Sequence, residues 1–405
     1  MSARVILGVG AGIAAYKSCE LLRLLTESGH RVRVVPTPDA LRFVGEATWA
    51  ALSGEPVTTD AWTGVAEVPH VRLGQSAALV VVAPATADLM ARAAAGMAGD
   101  LLTATLLTAR CPVVYAPAMH TEMWLHPATQ ANVALLRSRG AIVLEPAVGR
   151  LTGADTGPGR LPEPAEIFAV ATRLLARGAD GGDPLRRDLA GRRVVVSAGG
   201  TREEIDPVRF IGNWSTGTQG YALARTAVAR GAEVIVVAAN VALPDPAGTK
   251  VIRVVSAREM RDAVTAAAAG ADAVVMAAAV ADYRPQTRSA AKIKKDGQPP
   301  EPLRLTENPD ILAGLAQVRA REAASVVLVG FAAETDTAAG TAQAKLARKG
   351  CDLLVVNPVG NGLGFGTIDN EAVVYGVDGS VTQIPRGPKE ALAGVVWDLV
   401  AERLK

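Results

Sequence analysis

Cysteine is scarce in this chain of 405 residues, which contains three: Cys19, Cys111 and Cys351. Their number is odd, they lie far apart, and each sits inside an apolar pattern. The sequence therefore predicts neither a disulfide framework nor a cysteine-based metal site. Free thiols also fit a reducing environment, so we expect a cytoplasmic protein.

An excess of charge of one sign is missing as well. The 42 basic and 40 acidic residues leave a formal net charge of +2, and no block of like charges occurs. A protein that binds nucleic acid through its phosphates needs a basic surface, so we expect no nucleic-acid partner.

Long apolar runs are absent too. The longest charge-poor stretch, residues 263–281, is interrupted by Gly270-Ala-Asp272, which predicts a helix, a turn and a strand instead of a membrane span. Residues 1–8 lack the apolar core and cleavage site of a signal peptide. These absences predict a soluble protein with no membrane partner.

Aromatic residues make up only 4% of the chain although 49% of it is hydrophobic, so small and β-branched residues must build the core. This composition favours parallel strands buried under closely packed helices. The length exceeds what one hydrophobic core usually supports, so two domains are expected. The polar, Gly-rich stretch 177–188 suggests a first domain of residues 1–178, a linker at 179–190 and a second domain of residues 191–405.

Short β-branched runs alternate with helical patterns in both halves, which predicts two doubly wound, Rossmann-like α/β domains. Ligands bind such sheets at the carboxyl ends of the strands, so residues that follow a strand are candidates for a site. Strands are predicted at residues 4–8, 31–35, 79–83, 111–116 and 141–144, and near Arg193, Glu233, Asp272, Ser325, Asp352 and Ala372.

The first predicted strand is followed by Gly8-Val-Gly-Ala-Gly12, half of a dinucleotide fingerprint. An NAD site also needs an acidic residue after the second strand, where this chain has Thr37. We therefore favour a mononucleotide phosphate held by Gly10 to Ile13 and Thr37, with an NAD(P)-dependent oxidoreductase as the alternative. Thr86 adds a hydroxyl after the third strand, and Met119, after the fourth, is suited to lie against a flat ring.

The longest polar segment, Ser197 to Gly217, follows the first strand of the second half. Its small residues would let backbone N–H groups approach an anion, while Arg202 and Arg209 would supply positive charge. We predict a binding loop for a phosphorylated ligand. An ordinary long loop is the alternative, but structureless loops beyond about a dozen residues are usually functional in compact domains.

Motifs in both halves resemble known enzyme families, and their order resembles the bifunctional enzymes of bacterial coenzyme A biosynthesis. The first half is similar to the homo-oligomeric FMN-containing cysteine decarboxylases at residues 8–17, 69–74, 83–88, 94–101, 117–124 and 157–160. The second half is similar to phosphopantothenate-cysteine ligases at residues 206–213, 277–284, 292–295, 308–311 and 330–335.

For the first half, the resemblance implies a flavodoxin-like FMN domain that decarboxylates 4'-phosphopantothenoylcysteine. It implies His70 as the catalytic acid/base, and Met119 and His120 as substrate-binding residues, with His120 standing where the commoner pattern has Asn. Gly153 stands where that pattern has a cysteine, so Thr152 and Asp155 are the candidate proton donors. The implied FMN-binding residues are Gly10, Gly12, Ile13, Thr37, Thr86 and Ala87.

For the second half, the resemblance implies CTP-dependent ligation of 4'-phosphopantothenate with L-cysteine through an acyl-cytidylate. It implies Asn213 and Lys292 as catalytic residues and Arg209 as a clamp for the acyl substrate. Charge on the triphosphate also calls for a divalent cation, Mg²⁺, whose ligands stay open. The implied CTP-binding residues are Met276, Ala277, Ala278, Asp282, Lys292, Pro309, Asp310, Ile311, Leu312, Phe331, Lys345 and Lys349.

The resemblance also implies a homododecamer with trimeric flavin domains and dimeric ligase domains. A second alternative function comes from another class, the noncatalytic regulatory flavoproteins that resemble the decarboxylases. Such proteins need the flavin half only, so the ligase motifs of the second half argue against this alternative.

Overall fold

The computed structural model describes residues 2–59, 68–151, 156–179, 187–294, 302–334, 339–358 and 369–405. The chain divides into two compact units, Met1–Arg187 and Asp188–Lys405. Residues 180–186 of the predicted linker lie outside the described residues. Within the described residues, no helix has the length and apolar character needed to cross a membrane.

The first unit is built on a five-stranded parallel sheet in the order β2-β1-β3-β4-β5. Its strands are β1 (Arg4–Val9), β2 (Arg31–Pro36), β3 (Leu79–Ala85), β4 (Val113–Pro117) and β5 (Ile142–Val143). This order is that of flavodoxin-like doubly wound folds, so the predicted fold of the first half is confirmed. Every residue of β3 is buried, as expected for a strand that is covered on both faces.

Helices cover both faces of this sheet because alternate side chains of its strands enter two separate cores. Val5 and Leu7 pack with the helices at residues 17–27 and 164–179, whereas Ile6 packs with those at residues 87–94 and 101–108. The helices are α1 (Lys17–Glu27), α2 (Glu46–Ser53), α3 (Pro69–Ser76), α4 (Ala87–Ala94), α5 (Leu101–Thr108), α6 (Thr121–Leu125), α7 (Pro127–Ser138) and α8 (Pro164–Ala179). Two 3-10 turns, Ile13–Tyr16 and Pro38–Arg42, and a hairpin of β6 (Ala147–Arg150) and β7 (Thr156–Arg160) complete the unit.

The strands of the second unit form one large sheet and two small hairpins. They are β8 (Arg193–Gly199), β9 (Arg202–Glu204), β10 (Phe210–Gly212), β11 (Glu233–Ala239), β12 (Thr249–Val254), β13 (Ala273–Met276), β14 (Tyr283–Pro285), β15 (Leu305–Glu307), β16 (Val327–Glu334), β17 (Leu353–Pro358), β18 (Asp369–Gly376) and β19 (Val381–Pro388). The helices are α9 (Thr218–Ala229), α10 (Ala257–Ala268), α11 (Ile311–Glu322), α12 (Ala339–Lys349) and α13 (Lys389–Arg403).

The large sheet has eight strands in the order β12-β11-β8-β13-β16-β17-β18-β19. The strands from β12 to β17 run parallel, and β18 and β19 extend the sheet as antiparallel strands. The chain moves outward from β8 to β12 and then crosses to β13. The sheet therefore has a Rossmann-like switch point between β8 and β13, where ligands of such folds bind.

The polar segment after β8 is not the structureless loop that the sequence suggested. Within it, β9 and β10 pair as an antiparallel hairpin. Asp206 holds the turn of this hairpin, because its Oδ1 accepts the backbone N–H groups of Val208 and Arg209, each at 2.8 Å. The binding-loop prediction therefore applies to an ordered hairpin beyond the carboxyl end of β8.

Arg230 is a buried cation that joins distant parts of the second unit. Its side chain is 2% exposed and donates to Asp188 at 2.5 Å and to Asp398 at 2.8 Å. We expect Arg230→Met to lower the free energy of unfolding of this unit by about 3 kcal/mol, because two carboxylates lose their shared cation. Urea unfolding followed by circular dichroism measures this loss.

The matched control for that variant is Arg253→Met, since the ion pair between Arg253 and Asp245 is largely exposed to solvent. We expect this variant to lose less than about 1 kcal/mol. Equal losses in the two variants would show that burial of the Arg230 network does not stabilise the unit.

Candidate active sites

The carboxyl edge of the first sheet brings together predicted FMN-binding residues that are far apart in sequence. Gly10 follows β1, and its N–H donates to Pro84 O at 3.0 Å, next to the end of β3. Thr37 follows β2, and its N–H donates to Val9 O at 2.9 Å. A Cβ on Gly10 would lie 2.5 Å from Pro84 O and 3.5 Å from Thr86 Cγ2, so this approach requires glycine.

Thr37 Oγ1 and His70 Nδ1 are among the buried polar atoms of this unit that have no hydrogen-bond partner among the described residues. Buried polar atoms are normally hydrogen-bonded, so both are suited to contact a bound molecule. Thr37 lies at the same sheet edge as Gly10. The residues at this edge therefore fit a phosphorylated flavin, with an unused hydroxyl beside a glycine that allows close approach.

The remaining predicted flavin residues have mixed roles. Ile13 is 74% exposed and so is open to a ligand, whereas Gly12 is half-buried with an extended backbone. Thr86 caps α4, since its Oγ1 accepts the N–H of Leu89 at 3.2 Å, and Ala87 is the first residue of that helix. Thr86 thus has a structural role besides any contact with a ligand.

His70 lies in the first turn of α3. Thr108 of α5 donates its hydroxyl to His70 O at 2.8 Å. This hydrogen bond fixes the start of α3 against α5, and His70 Nδ1 stays buried without a partner among the described residues.

Met119 and His120 lie between β4 and α6, beside the hairpin of β6 and β7. The N–H of Met119 donates to Gly159 O at 2.9 Å, and Met119 packs against the core of one sheet face. His120 directly precedes α6. Residues 152–155 of the hairpin, which include Thr152, Gly153 and Asp155, lie outside the described residues.

One buried contact of this edge was not predicted from the sequence. Ser18, which is fully buried on α1, donates its hydroxyl to Ala83 O at 2.6 Å. This bond fixes the start of α1 against the end of β3. A small polar residue on the buried face of α1 was the only signal in the sequence.

In the second unit, four polar side chains hold the segment that follows β13. Ser197 Oγ accepts the N–H of Ala278 at 3.1 Å, and Thr201 Oγ1 accepts the N–H of Ala281 at 2.9 Å. The amide of Asn213 donates to Val280 O at 3.1 Å. Similarly, the amide of Asn308 donates to Ala281 O at 2.8 Å. The predicted residues Ala277, Ala278 and Asp282 thus share a fixed segment at the switch point, and Ser197 and Thr201 were not predicted to hold it.

Arg209, which the sequence predicts to supply positive charge, is paired with a carboxylate. Its guanidinium donates to the carboxylate of Asp206 at 2.6 Å and to Ile293 O at 2.7 Å. The hydrogen bonds of Arg209 hold the pKa of the Asp206 carboxyl well below its usual range. Asp206 also accepts the N–H of Ile293 at 3.2 Å. Because Ile293 directly follows Lys292, Asp206 and Arg209 hold the segment that carries Lys292. Arg202, the other expected cation, lies over the ring of Phe210 at 4.7 Å.

The two predicted lysines of α12 lie at the same sheet edge, each paired with a carboxylate. Lys345 contacts Glu334 at the end of β16 at 2.7 Å. Lys349 contacts Asp310, which caps α11, at 2.6 Å. Although partial burial opposes it, the hydrogen bond from Lys349 contributes to a lowered pKa of the Asp310 carboxyl.

Three predicted CTP-binding residues have their side chains in the core. Met276, Ile311 and Leu312 are 5–8% exposed and belong to the cluster under α10, α11 and α12. Any contact with a nucleotide would therefore use their backbone. Pro309 and Phe331 are half-buried at the same edge, and Asp282 is exposed.

Comparison with known proteins adds the family. Residues 1–176 match the family model described as Flavoprotein, and residues 189–404 match that described as DNA/pantothenate metabolism flavoprotein C-terminal domain. The chain is 59% identical over 404 residues to the coenzyme A biosynthesis bifunctional protein CoaBC of Mycobacterium tuberculosis, covering 98% of this chain and 96% of the relative. The chain belongs to the bifunctional coenzyme A biosynthesis family.

A more distant member of this family aligns over the same length. The CoaBC protein of Vibrio cholerae is 41% identical over 405 residues, covering 99% of this chain and 98% of the relative. A solved C-terminal domain of a CoaBC protein is 34% identical with a TM-score of 0.46 and covers 54% of this chain and 98% of that domain.

Membership of the coenzyme A biosynthesis family makes this chain a bifunctional enzyme with a flavoprotein half. Its activities are those of a phosphopantothenoylcysteine decarboxylase and a phosphopantothenate-cysteine ligase. The predicted family, fold class and pair of activities are confirmed. The oxidoreductase and the regulatory flavoprotein are not favoured.

Replacing Gly10 with Ala tests whether flavin binds at the carboxyl edge of the first sheet. The added Cβ would lie 2.5 Å from Pro84 O, which is backbone and cannot rotate away. We expect Gly10→Ala to purify without flavin absorbance while its ligase rate is unchanged. Gly45→Ala is the control, because no heavy atom lies within 4 Å of a Cβ there, and it should stay yellow. A yellow Gly10→Ala protein would contradict the assignment of this edge.

Proposed function

We propose that the first unit binds FMN at the carboxyl edge of β1, β2 and β3. The observation that carries this proposal is the buried, unpartnered Thr37 Oγ1 beside Gly10. Gly10 and Gly12 would let the backbone approach the phosphate, and Thr37 would donate its hydroxyl to it. Ile13 would cover the ring. Bound there, FMN would supply the oxidation of the substrate thiol and the return of those electrons.

We further propose that His70 is the acid/base of the decarboxylase and that His120 binds the substrate carboxylate. The unpartnered Nδ1 of His70 leaves the imidazole free to exchange a proton with the substrate. His120, which follows Met119 beside the hairpin, can donate to a carboxylate through either ring nitrogen when it is protonated. Thr152 and Asp155 stay candidate proton donors.

A second copy of the chain would complete this site, within trimers of the flavin unit and the proposed homododecamer. The support is that two large apolar side chains close to Gly10 in the chain, Ile13 and Tyr16, are 74% and 60% exposed, which suits side chains covered by another copy. Mixed oligomers of His70→Asn and Gly10→Ala chains should then regain carbon dioxide release that neither variant has alone.

For the second unit we propose CTP as the activator of 4'-phosphopantothenate. The pantothenate carboxylate would attack the α-phosphorus of CTP, an O–P bond would form, and pyrophosphate would leave. The cysteine amine would then attack the acyl carbon and CMP would leave. Asn213 would orient that amine, because its Nδ2 is fixed on Val280 O and its Oδ1 is left to accept.

The cations of the second unit would neutralise the triphosphate. Lys292, Lys345 and Lys349 would contact phosphate oxygens, and Arg209 would hold the acyl substrate. Lys345 and Lys349 would exchange Glu334 and Asp310 for phosphates. Mg²⁺ would accompany the triphosphate and reduce its repulsion from these carboxylates.

No cluster of three or more acidic, histidine or cysteine side chains suited to a metal occurs in the described part of the chain. Mg²⁺ commonly uses one or two carboxylates together with substrate phosphates, so a site formed only with CTP fits this observation. The three cysteines are free thiols, which supports our proposal of a cytoplasmic enzyme.

Pyrophosphate release by the purified chain tests this proposal. We expect release to require CTP, 4'-phosphopantothenate and Mg²⁺ together, and EDTA to abolish it. Lys292→Gln should slow release by about a hundredfold, since one charge contact to the developing pyrophosphate is lost. Pyrophosphate release that proceeds equally well with EDTA would contradict the requirement for Mg²⁺. Release that does not depend on CTP would contradict CTP as the activator.

A further inference from the structure

Glu163 lies between β7 and α8 and binds two cations of the first unit. Its Oε1 and Oε2 accept Lys17 Nζ at 3.2 Å and 3.1 Å, and its Oε1 also accepts the guanidinium of Arg160. Lys17 is the first residue of α1, and Arg160 is the last residue of β7. One carboxylate therefore joins the segment after Gly10 to Gly12 with the hairpin beside Met119.

This three-residue cluster is partly buried and keeps its charges. The side chains of Lys17, Glu163 and Arg160 are 18%, 28% and 39% exposed. Although partial burial alone would raise it, the pKa of the Glu163 carboxyl is lowered by hydrogen bonds from Lys17 and Arg160 and by their charges. The cluster thus carries two cations and one anion near neutral pH.

Arg160 has a donor that Glu163 does not use. Its Nε is buried and has no hydrogen-bond partner among the described residues. Glu163 binds only the NH2 end of the guanidinium. The guanidinium is therefore held through NH2, and the Nε–H on the same edge is left to donate, which suits an acidic ligand.

The hairpin that carries Arg160 is packed tightly onto the proposed substrate-binding residues. The O of the preceding residue, Gly159, accepts the N–H of Met119 at 2.9 Å. A Cβ on Gly159 would lie 2.3 Å from Met119 O. A change in the position of Arg160 would therefore also shift the backbone at Met119 and His120.

We propose that Glu163 is a positioning residue of the decarboxylase site and that Arg160, held by Glu163, binds an anionic group of the substrate. The substrate 4'-phosphopantothenoylcysteine carries a phosphate and a carboxylate, either of which suits a guanidinium. This inference rests on the proposed function of the first unit. Loss of Glu163 acts on substrate binding through Arg160 and leaves the flavin and the chemical step in place.

The test uses the full chain with FMN bound and the variant Glu163→Gln. A glutamine has no negative charge and one acceptor oxygen instead of two, and its NH2 group cannot accept a hydrogen bond, so it holds Lys17 and Arg160 more weakly. We expect KM for 4'-phosphopantothenoylcysteine to rise about fivefold while kcat changes less than about twofold. Flavin absorbance and the ligase rate of the same preparation should be unchanged.

Two further variants separate positioning from a general structural role. Arg160→Met should raise KM by at least as much, and adding Glu163→Gln to it should cause no further rise, because both act through one contact. Glu55→Gln is the matched control, since Glu55 also lies between two cations, Arg31 and Arg33, each at 3.6 Å. It should leave KM unchanged.

An unchanged KM in Glu163→Gln, a matching loss of flavin, or additive effects in the double variant would each overturn the inference. Failure of the wild-type chain to release carbon dioxide with FMN would instead overturn the proposed function itself. The two failures are therefore distinguishable in one set of assays.

Discussion

Replacing His70 with Asn should stop carbon dioxide release while leaving flavin absorbance and ligase turnover intact. The imidazole is proposed as the acid/base of the decarboxylation, and its Nδ1 is buried without a partner among the described residues. Loss of general acid/base catalysis costs at least about a hundredfold in rate. Asparagine keeps the size and polarity of the side chain, so α3 should stay packed on α5.

The measurement is release of labelled carbon dioxide from carboxyl-labelled 4'-phosphopantothenoylcysteine, with flavin content taken from the absorbance spectrum. His30→Asn is the control, because His30 is a half-buried histidine whose Nδ1 accepts the N–H of Ala3 at 3.4 Å. This control should keep full activity. Undiminished release from His70→Asn would remove His70 from the mechanism, and loss of flavin would assign it a structural role.

Replacing Asn213 with Ala should block ligation after the first chemical step. We expect cysteine ligation to fall by about a thousandfold, because the group that orients the amine is lost. Formation of the acyl-cytidylate does not need that group, so one equivalent of pyrophosphate should still be released and the intermediate should accumulate. Rapid quenching of a single turnover with labelled CTP detects it.

Asn308→Ala is the control that separates a catalytic role of Asn213 from a purely structural role. Asn308 and Asn213 hold neighbouring carbonyl groups, Ala281 O at 2.8 Å and Val280 O at 3.1 Å. If both residues only brace this segment, the two variants should behave alike. We expect Asn308→Ala to weaken CTP binding without accumulation of the acyl-cytidylate. The same accumulation in both variants would contradict the role of Asn213.

The sequence predicted the central strands because they are buried on both faces. β1, β3 and β8 consist almost entirely of buried apolar and small residues, and such runs are visible in the sequence. β12 was not predicted because it is an edge strand in which Lys250 and Arg253 interrupt the apolar residues. β19 contains Pro385 and Pro388, which usually mark the end of a strand or its edge.

Candidate residues for each site could be selected from the sequence because parallel strands share one carboxyl edge. The contacts within each site could not be predicted, because they join residues that are distant in sequence. Ile293 O accepts from Arg209 across 84 positions, and Glu163 accepts from Lys17 across 146. The periodic pattern of apolar residues predicts helices and strands, but it does not predict which distant side chains pair. The hairpin of β9 and β10 was missed for a related reason, since the side chain of Asp206 closes it.

The central claim is that a flavin site and a cytidine nucleotide site in one chain act in succession, the second unit making what the first consumes. The most direct test supplies the purified chain with carboxyl-labelled cysteine, 4'-phosphopantothenate, CTP and Mg²⁺ in one vessel. Labelled carbon dioxide should appear after a lag and only when all four are present. Release without CTP, or ligation with no carbon dioxide from a yellow preparation, would contradict the claim.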